Sequence, residues 1–284
     1  MFARIDQINF FLFIILPLLI ISGPFLTDFA ISISCILFLL RLNKKLINTY
    51  FLNKFSIFFF IWYFYLLLTS LLSSKVLLSL ESTLFYFRFW IFSLLVFYLL
   101  ASIKNTLKYF LLFIGLSFLI LLIDSYFQLL VGFNLIGYEY SFKYNQSRLS
   151  GLFGEEQKLG SYLSRLSPLL FVFFIYFKNN KIINFYTVSI IFFLIFIVIL
   201  FSGERTAIIL FLIFSLFSIF DLKIFSKNKK FNLAFISILI LGVVILISSS
   251  KTLYNRIFDY TLFQLQNDNK LNIFSAQHQV VYTT

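Results

Sequence analysis

Residues 107–131 read LKYFLLFIGLSFLILLIDSYFQLLV, and this run decides the fold class. A helix needs about 20 mostly apolar residues to cross the hydrocarbon core of a bilayer. The run meets that length while carrying a single acid, Asp124, and a single base, Lys108. It shows none of the period-two alternation of a barrel strand, so the helix reading stands over the β-barrel one. Further runs of the same kind lie near 9–24, 25–40, 55–72, 84–101, 159–177, 182–201, 204–220 and 231–248. The expected fold is therefore all-α, a polytopic transmembrane helical bundle of about nine spans. The first two spans share the turn at Gly23-Pro24.

Composition agrees with this reading. A mean hydropathy of +0.98, with 61% hydrophobic and 12% charged residues, excludes a soluble domain, in which charged residues make up about a quarter. The abundant Phe is read as lipid-facing surface and given no chemistry. The organisation expected is a transmembrane domain over 1–249 and the start of a large outer loop over 250–284.

The charges between the runs fix an orientation, because Lys and Arg are retained on the cytoplasmic side. With the N-terminus inside, Arg41, Lys44, Lys45, Lys54, Lys104, Lys108, Lys178, Lys181 and the 223–230 lysines all fall in inner segments. In the outer loops the bases are nearly cancelled by acids, as Lys75 is by Glu81 and Arg205 by Glu204. The formal +12 is thus topology rather than a nucleic-acid signal, and the lipid bilayer is the partner it implies. The first apolar run lacks a small-residue cleavage site, so no cleavable signal peptide is expected. With one Cys (Cys35) and one His (His278), neither a disulfide framework nor zinc or haem ligation is expected, and no cofactor is implied.

Charged groups inside apolar runs carry more information, since each costs about 2.5–3.5 kcal/mol at mid-bilayer unless paired or hydrated. Asp28, Arg88, Asp124 and Arg165 are of this kind, each in the outer half of its span. Gln128 follows Asp124 by four residues, so both project from one helix face, toward protein or water. The longest polar interruption before the tail, Glu139–Gly160, carries Arg148-Leu-Ser-Gly-Leu-Phe-Gly154-Glu155-Glu156, and Arg205 opens the eighth span behind Gly203-Glu204. Two readings remain open at this point. Arg88 and Arg165 either pair with Asp124 or reach the interface; or basic groups from four segments converge on one outward-facing cavity. Such a cavity would suit a lipid-linked diphosphate, because guanidinium groups recognise phosphate in bidentate fashion. Gly151 and Gly154 would let the backbone approach a ligand closely, and the helix start behind Gly203 would favour an anion near Arg205.

Asp124 to Gln128 with Gly132, then Arg148-Leu-Ser-Gly-Leu-Phe-Gly leading into a helix with Gly160 and Pro168, then Ser202-Gly-Glu-Arg-Thr-Ala207, resemble the O-antigen ligase and polymerase superfamily. The Arg88-Phe-Trp-Ile-Phe92 run resembles the fourth helix of its polymerase members. The resemblance implies a GT-C-type, metal-independent glycosyltransferase of the bacterial inner membrane. It would move an undecaprenyl-diphosphate-linked glycan onto an acceptor glycan at the periplasmic face, with a chain-length regulator as a further partner. It makes Arg148 and Arg205 the catalytic pair that stabilises the diphosphate leaving group. Arg88, Asp124, Gln128, Arg165, Gly151 and Glu204 would bind substrate. Glu155 or Glu156 would accept the acceptor's proton, or else simply form a solvated helix start.

The superfamily's second signature is a His-Asn block in a large outer loop, followed by further spans. Here His278 is the candidate base, yet Gln279 stands where Asn would follow, and the sequence ends at Thr284 inside that loop. The expectation is a fragment or truncated product whose base and closing helices lie beyond residue 284. Other classes stay open: a ligase joining the glycan to lipid A-core, a non-catalytic membrane subunit, and a flippase or exporter. A flippase predicts intramembrane charges in both leaflets and paired broken helices, which this sequence lacks.

Overall fold

The computed structural model describes residues 2–139, 141–143, 146–154, 156, 158–177 and 185–221. Helices dominate these residues. Five of them are long and apolar enough to cross a membrane, or six if one bent pair counts as a span. The chain divides into two compact units, Met1–Ile120 and Leu121–Thr284. The expected division at residue 249 and the span expected over 231–248 lie outside the described residues, as does His278.

The first unit contains α1 (Phe2–Ile21), α2 (Pro24–Leu40), a short α3 (Lys44–Leu46) running into a π-helical turn at Ile47–Phe51, α4 (Lys54–Leu71), α5 (Val76–Phe85) and α6 (Phe87–Ser102). The turn between α1 and α2 falls at Gly23-Pro24, where the sequence puts it. Gly23 takes φ 120°, open to glycine alone at little cost, and Pro24 opens α2 where its missing N–H goes unneeded. Asn43 and Asn53 cap the next two helices, their side-chain oxygens accepting from the Leu46 and Ser56 N–H groups at 2.8 Å.

Two features differ from the sequence expectation. The chain bends by 115° between α2 and the Lys44–Phe51 segment, a stretch the sequence reading left as a loop. The fourth span, expected over 84–101, instead runs from Val76 to Ser102 with a break at Tyr86. The physical reason lies in its hydroxyls. Thr83 Oγ1 donates to the Ser79 carbonyl at 2.8 Å and Ser82 Oγ to Leu78 at 3.3 Å, so the polar residues satisfy themselves within the helix. Ser70 and Thr83 share a further bond that ties α4 to α5.

The core of the first unit gathers Phe13, Ile31, Phe38, Leu94, Leu95 and Leu99. The Trp90 ring sits among Phe51, Phe59, Phe60 and Phe87, at centroid separations of 4.9–5.7 Å. Part of the phenylalanine content is therefore packing, while Phe25, Phe29, Phe58 and Phe64 stay exposed as a lipid-facing surface would. At one end Asp6, Arg41 and Tyr98 form a polar triangle. Arg41 Nε donates to both Asp6 oxygens (2.8 and 3.0 Å), and the Tyr98 hydroxyl accepts from Arg41 and donates to Asp6.

α7 (Thr106–Val131) continues from the first unit into the second. The second unit then holds a small antiparallel hairpin, β1 (Ser141–Lys143) with β2 (Gln146–Arg148), which pairs Ser141 with Arg148. This hairpin is a small departure from an all-α chain. A 3-10 turn at Gly151–Phe153 leads to α8 (Leu159–Tyr176), α9 (Phe185–Ser202) and α10 (Arg205–Asp221). These last helices meet through the rings of Phe171, Phe174, Phe192, Phe196 and Phe211. Tyr126 donates to the Leu194 carbonyl at 3.0 Å and so holds α7 to α9.

Candidate functional site

The C-terminal end of α7 builds the floor of the site. Asp124, Ser125 and Gln128 are fully buried, and buried polar groups in an apolar helix must find partners. Gln128 Oε1 accepts the Gly151 N–H at 2.8 Å, and its Nε2 donates to the Tyr138 carbonyl at 3.2 Å. One oxygen of Asp124 accepts the Leu135 N–H at 3.0 Å. Asn134 completes the clamp: its Nδ2 donates to the Gly151 carbonyl at 2.8 Å, and its Oδ1 accepts from Ile136 and Tyr138 N–H groups. The face that carries Asp124 and Gln128 does point into protein, as the four-residue spacing predicts. Its bonds hold the loop backbone at Leu135, Tyr138 and Gly151.

Gly151 is the point at which these bonds meet. It sits at φ 54°, and a Cβ there would lie 3.3 Å from Ser125 Oγ and 3.4 Å from Asp124 Oδ2. The expected close approach of backbone is real, but it is to the α7 floor.

The second half of the site is the turn between α9 and α10. The Leu149 N–H donates to the Phe201 carbonyl at 3.2 Å, which lays the strand bearing Arg148 on the end of α9. Gly203 turns the chain at φ 68°, and Glu204 then reaches back to the start of α8. Its two carboxylate oxygens accept the Gly160 and Ser161 N–H groups at 2.8 and 2.9 Å, and the Ser161 hydroxyl also donates to it. A carboxylate on the first free N–H groups of a helix satisfies orphan donors and meets the positive end of the dipole. The approach needs Gly160, because a Cβ there would overlap the Ser202 hydroxyl and press on Glu204.

Arg148 and Arg205 flank this turn, both partly buried. Burial is the largest influence on Arg148 and pulls its pKa below the ordinary arginine value; Glu204 opposes that shift and the positive charge of Arg205 adds to it. The two guanidiniums are therefore close enough to feel each other, at the first residue of α10, where the helix dipole is also positive. Clustering of positive charge next to a rigid backbone loop is an arrangement that favours an anion.

The other expected residues fall elsewhere. Arg165 is exposed on α8, away from the buried row Gly160, Ser164 and Ser167. Arg88 belongs to the first unit and forms an ion pair with Asp28 at 2.9 Å, rather than with Asp124. Glu155 lies outside the described residues, and Glu156 pairs locally with Lys158 at 2.7 Å. Among the described residues no group of His, Cys, Asp and Glu could hold a metal ion. Asn134, Gly160 and Ser161 carry the site's geometry and were not singled out from sequence as binding or catalytic residues. Asn134 had a visible signal, since Asn in a turn followed by Gly commonly bonds the backbone two residues on. Comparison of the chain with known protein families, with curated proteins and with solved structures finds no match.

Proposed function

We propose that this chain is a glycan polymerase of the inner membrane, related to the O-antigen ligase and polymerase superfamily. In this reading it transfers an undecaprenyl-diphosphate-linked oligosaccharide to an acceptor glycan at the periplasmic face. One observation carries the proposal: the segment bearing Arg148 is bonded at Leu149 to Phe201, beside the turn that Arg205 follows, and the charge of Arg205 acts on Arg148. Two guanidiniums brought near each other by that backbone bond suit the doubly charged diphosphate that leaves during glycosyl transfer, since preorganised positive charge lowers the barrier to that departure. Glu204 and Gln128 are then positioning residues, because their bonds hold the backbone and hydroxyls of the α8 start and of the Ser150-Gly151 turn. The finer architecture belongs to the same reading: about nine spans of GT-C type, N-terminus in the cytoplasm, and the acceptor's general base supplied from beyond the described residues.

The test is polymer display in cells producing Arg148→Ala or Arg205→Ala. Each is expected to lower polymer formation by about 10²–10³-fold at unchanged membrane insertion. Wild-type polymer ladders in either variant would sink the assignment. Intact ladders with loss of glycan on lipid A-core would move it to the ligase class.

A further inference from the structure

The first unit holds a cavity that the reading of Arg148 and Arg205 does not use. Asp28, Ser82, Phe85, Tyr86, Arg88 and Phe89 line an open cavity of about 380 Å³. Its charged wall is Arg88. One terminal nitrogen of that guanidinium contacts Asp28 at 2.9 Å, the ring of Phe89 lies 4.9 Å from its central carbon, and its Nε is buried with no hydrogen-bond partner. A guanidinium presents five donors in a planar fork, and with its side chain 26% exposed it can offer donors beyond the bond to Asp28.

We propose that this cavity binds a phosphate group presented by an anionic lipid. Three features fit that class of ligand. Asp28 stands one turn into α2 and lines the cavity, so the positive N-terminal end of that helix lies near it. The rim is apolar and aromatic: Phe85 and Tyr86 are exposed, 61% and 46% respectively, on a helix of membrane-spanning length. Aromatic rings gather at the depth of lipid headgroups, so acyl chains would meet the rim while the phosphate meets the arginine. Finally, the Asp28 side chain is half exposed, so it serves as a wet counter-charge that an incoming anion competes with rather than a sealed partner.

The experiment is native mass spectrometry of the detergent-purified full chain, titrated separately with short-chain phosphatidylglycerol, phosphatidylcholine and inorganic phosphate. Wild type is expected to take up one phosphatidylglycerol in preference to phosphatidylcholine. Arg88→Gln should weaken that binding about tenfold, the effect of one charge-assisted contact, and Asp28→Asn should leave it equal or tighter. Ser82→Phe fills the opposite wall without touching the arginine and should abolish it. Displacement of the lipid by millimolar inorganic phosphate would keep the site and assign it to free anions. Equal phosphatidylglycerol binding by wild type, Arg88→Gln and Ser82→Phe would overturn the proposal. So would loss of binding in a folded Asp28→Asn, since that would make the acid, not the arginine, the recognition group.

Discussion

The two units handle their partly buried charges in opposite ways. In the first, acid meets base: Asp28 pairs with Arg88, and Asp6 pairs with Arg41 under the Tyr98 hydroxyl. In the second, apart from the exposed Glu156–Lys158 pair, the acids and amides at the site bond backbone. Asp124 holds the Leu135 N–H, Gln128 the Gly151 N–H, and Glu204 the first N–H groups of α8. An ion pair between partly exposed side chains contributes little, about 0–1 kcal/mol. A buried backbone donor deprived of its acceptor costs about 1–3 kcal/mol. The first unit is thus tolerant at its charges, whereas the second has converted polar side chains into the mould of a loop. That mould is what brings Arg148 beside the α9–α10 turn.

The contrast sets an order of expected effects. Gly160→Val should be the most damaging, because the new side chain would occupy the space of the Ser202 hydroxyl and Glu204. Overpacking at such a contact costs about 3 kcal/mol, and thermal unfolding in detergent should show it as a large fall in Tm. Valine at exposed Phe58 of the first unit would be the matched control, with a small shift. Next, Gln128→Ala should cost about 2 kcal/mol by orphaning the buried Gly151 N–H. Its specific signature is hydrogen exchange: the Gly151 amide should lose protection while amides in α2 and α6 keep theirs. Unchanged protection at Gly151 would show that the clamp does not hold the loop.

Much of the helix plan is legible in the sequence, and much of the site is not, for a physical reason. The Gly23-Pro24 turn and the runs that become α7, α8, α9 and α10 are local signals, a breaker or an unbroken apolar length. The fourth span begins earlier than its apolar run because Lys75 and Glu81 read as loop charges, while the backbone bonds of Ser82 and Thr83 are invisible until the helix exists. At the site, Arg148 and Arg205 are legible through the glycine-rich blocks that carry them, and Asp124 and Gln128 as a polar face. Their partners could not be read. The bond from Gly160 to Glu204 spans 44 residues and that from Gly151 to Gln128 spans 23, and nothing local to either residue names the other. A glycine at a helix start is ordinary; that Gly160 makes room for Ser202 is a fact of packing.

The smallest expected effect is also the sharpest test of the contrast, because it applies the same chemical change to both units. Asp28→Asn and Glu204→Gln each replace a carboxylate by its amide at nearly constant volume. In the first unit the amide loses an ion pair whose acid is half exposed, so the stability change should stay within about 1 kcal/mol. In the second, both carboxylate oxygens accept N–H groups of α8, and the amide can offer one oxygen only. Its NH2 must face the other N–H, donor against donor, and the favourable charge at the helix start is gone. The cost there should be about 1–2 kcal/mol, read as a lower denaturation midpoint in the same detergent. Equal costs, or a larger cost at Asp28, would mean that the acids of the two units are held alike and that the mould around Arg148 contributes nothing beyond an ordinary ion pair.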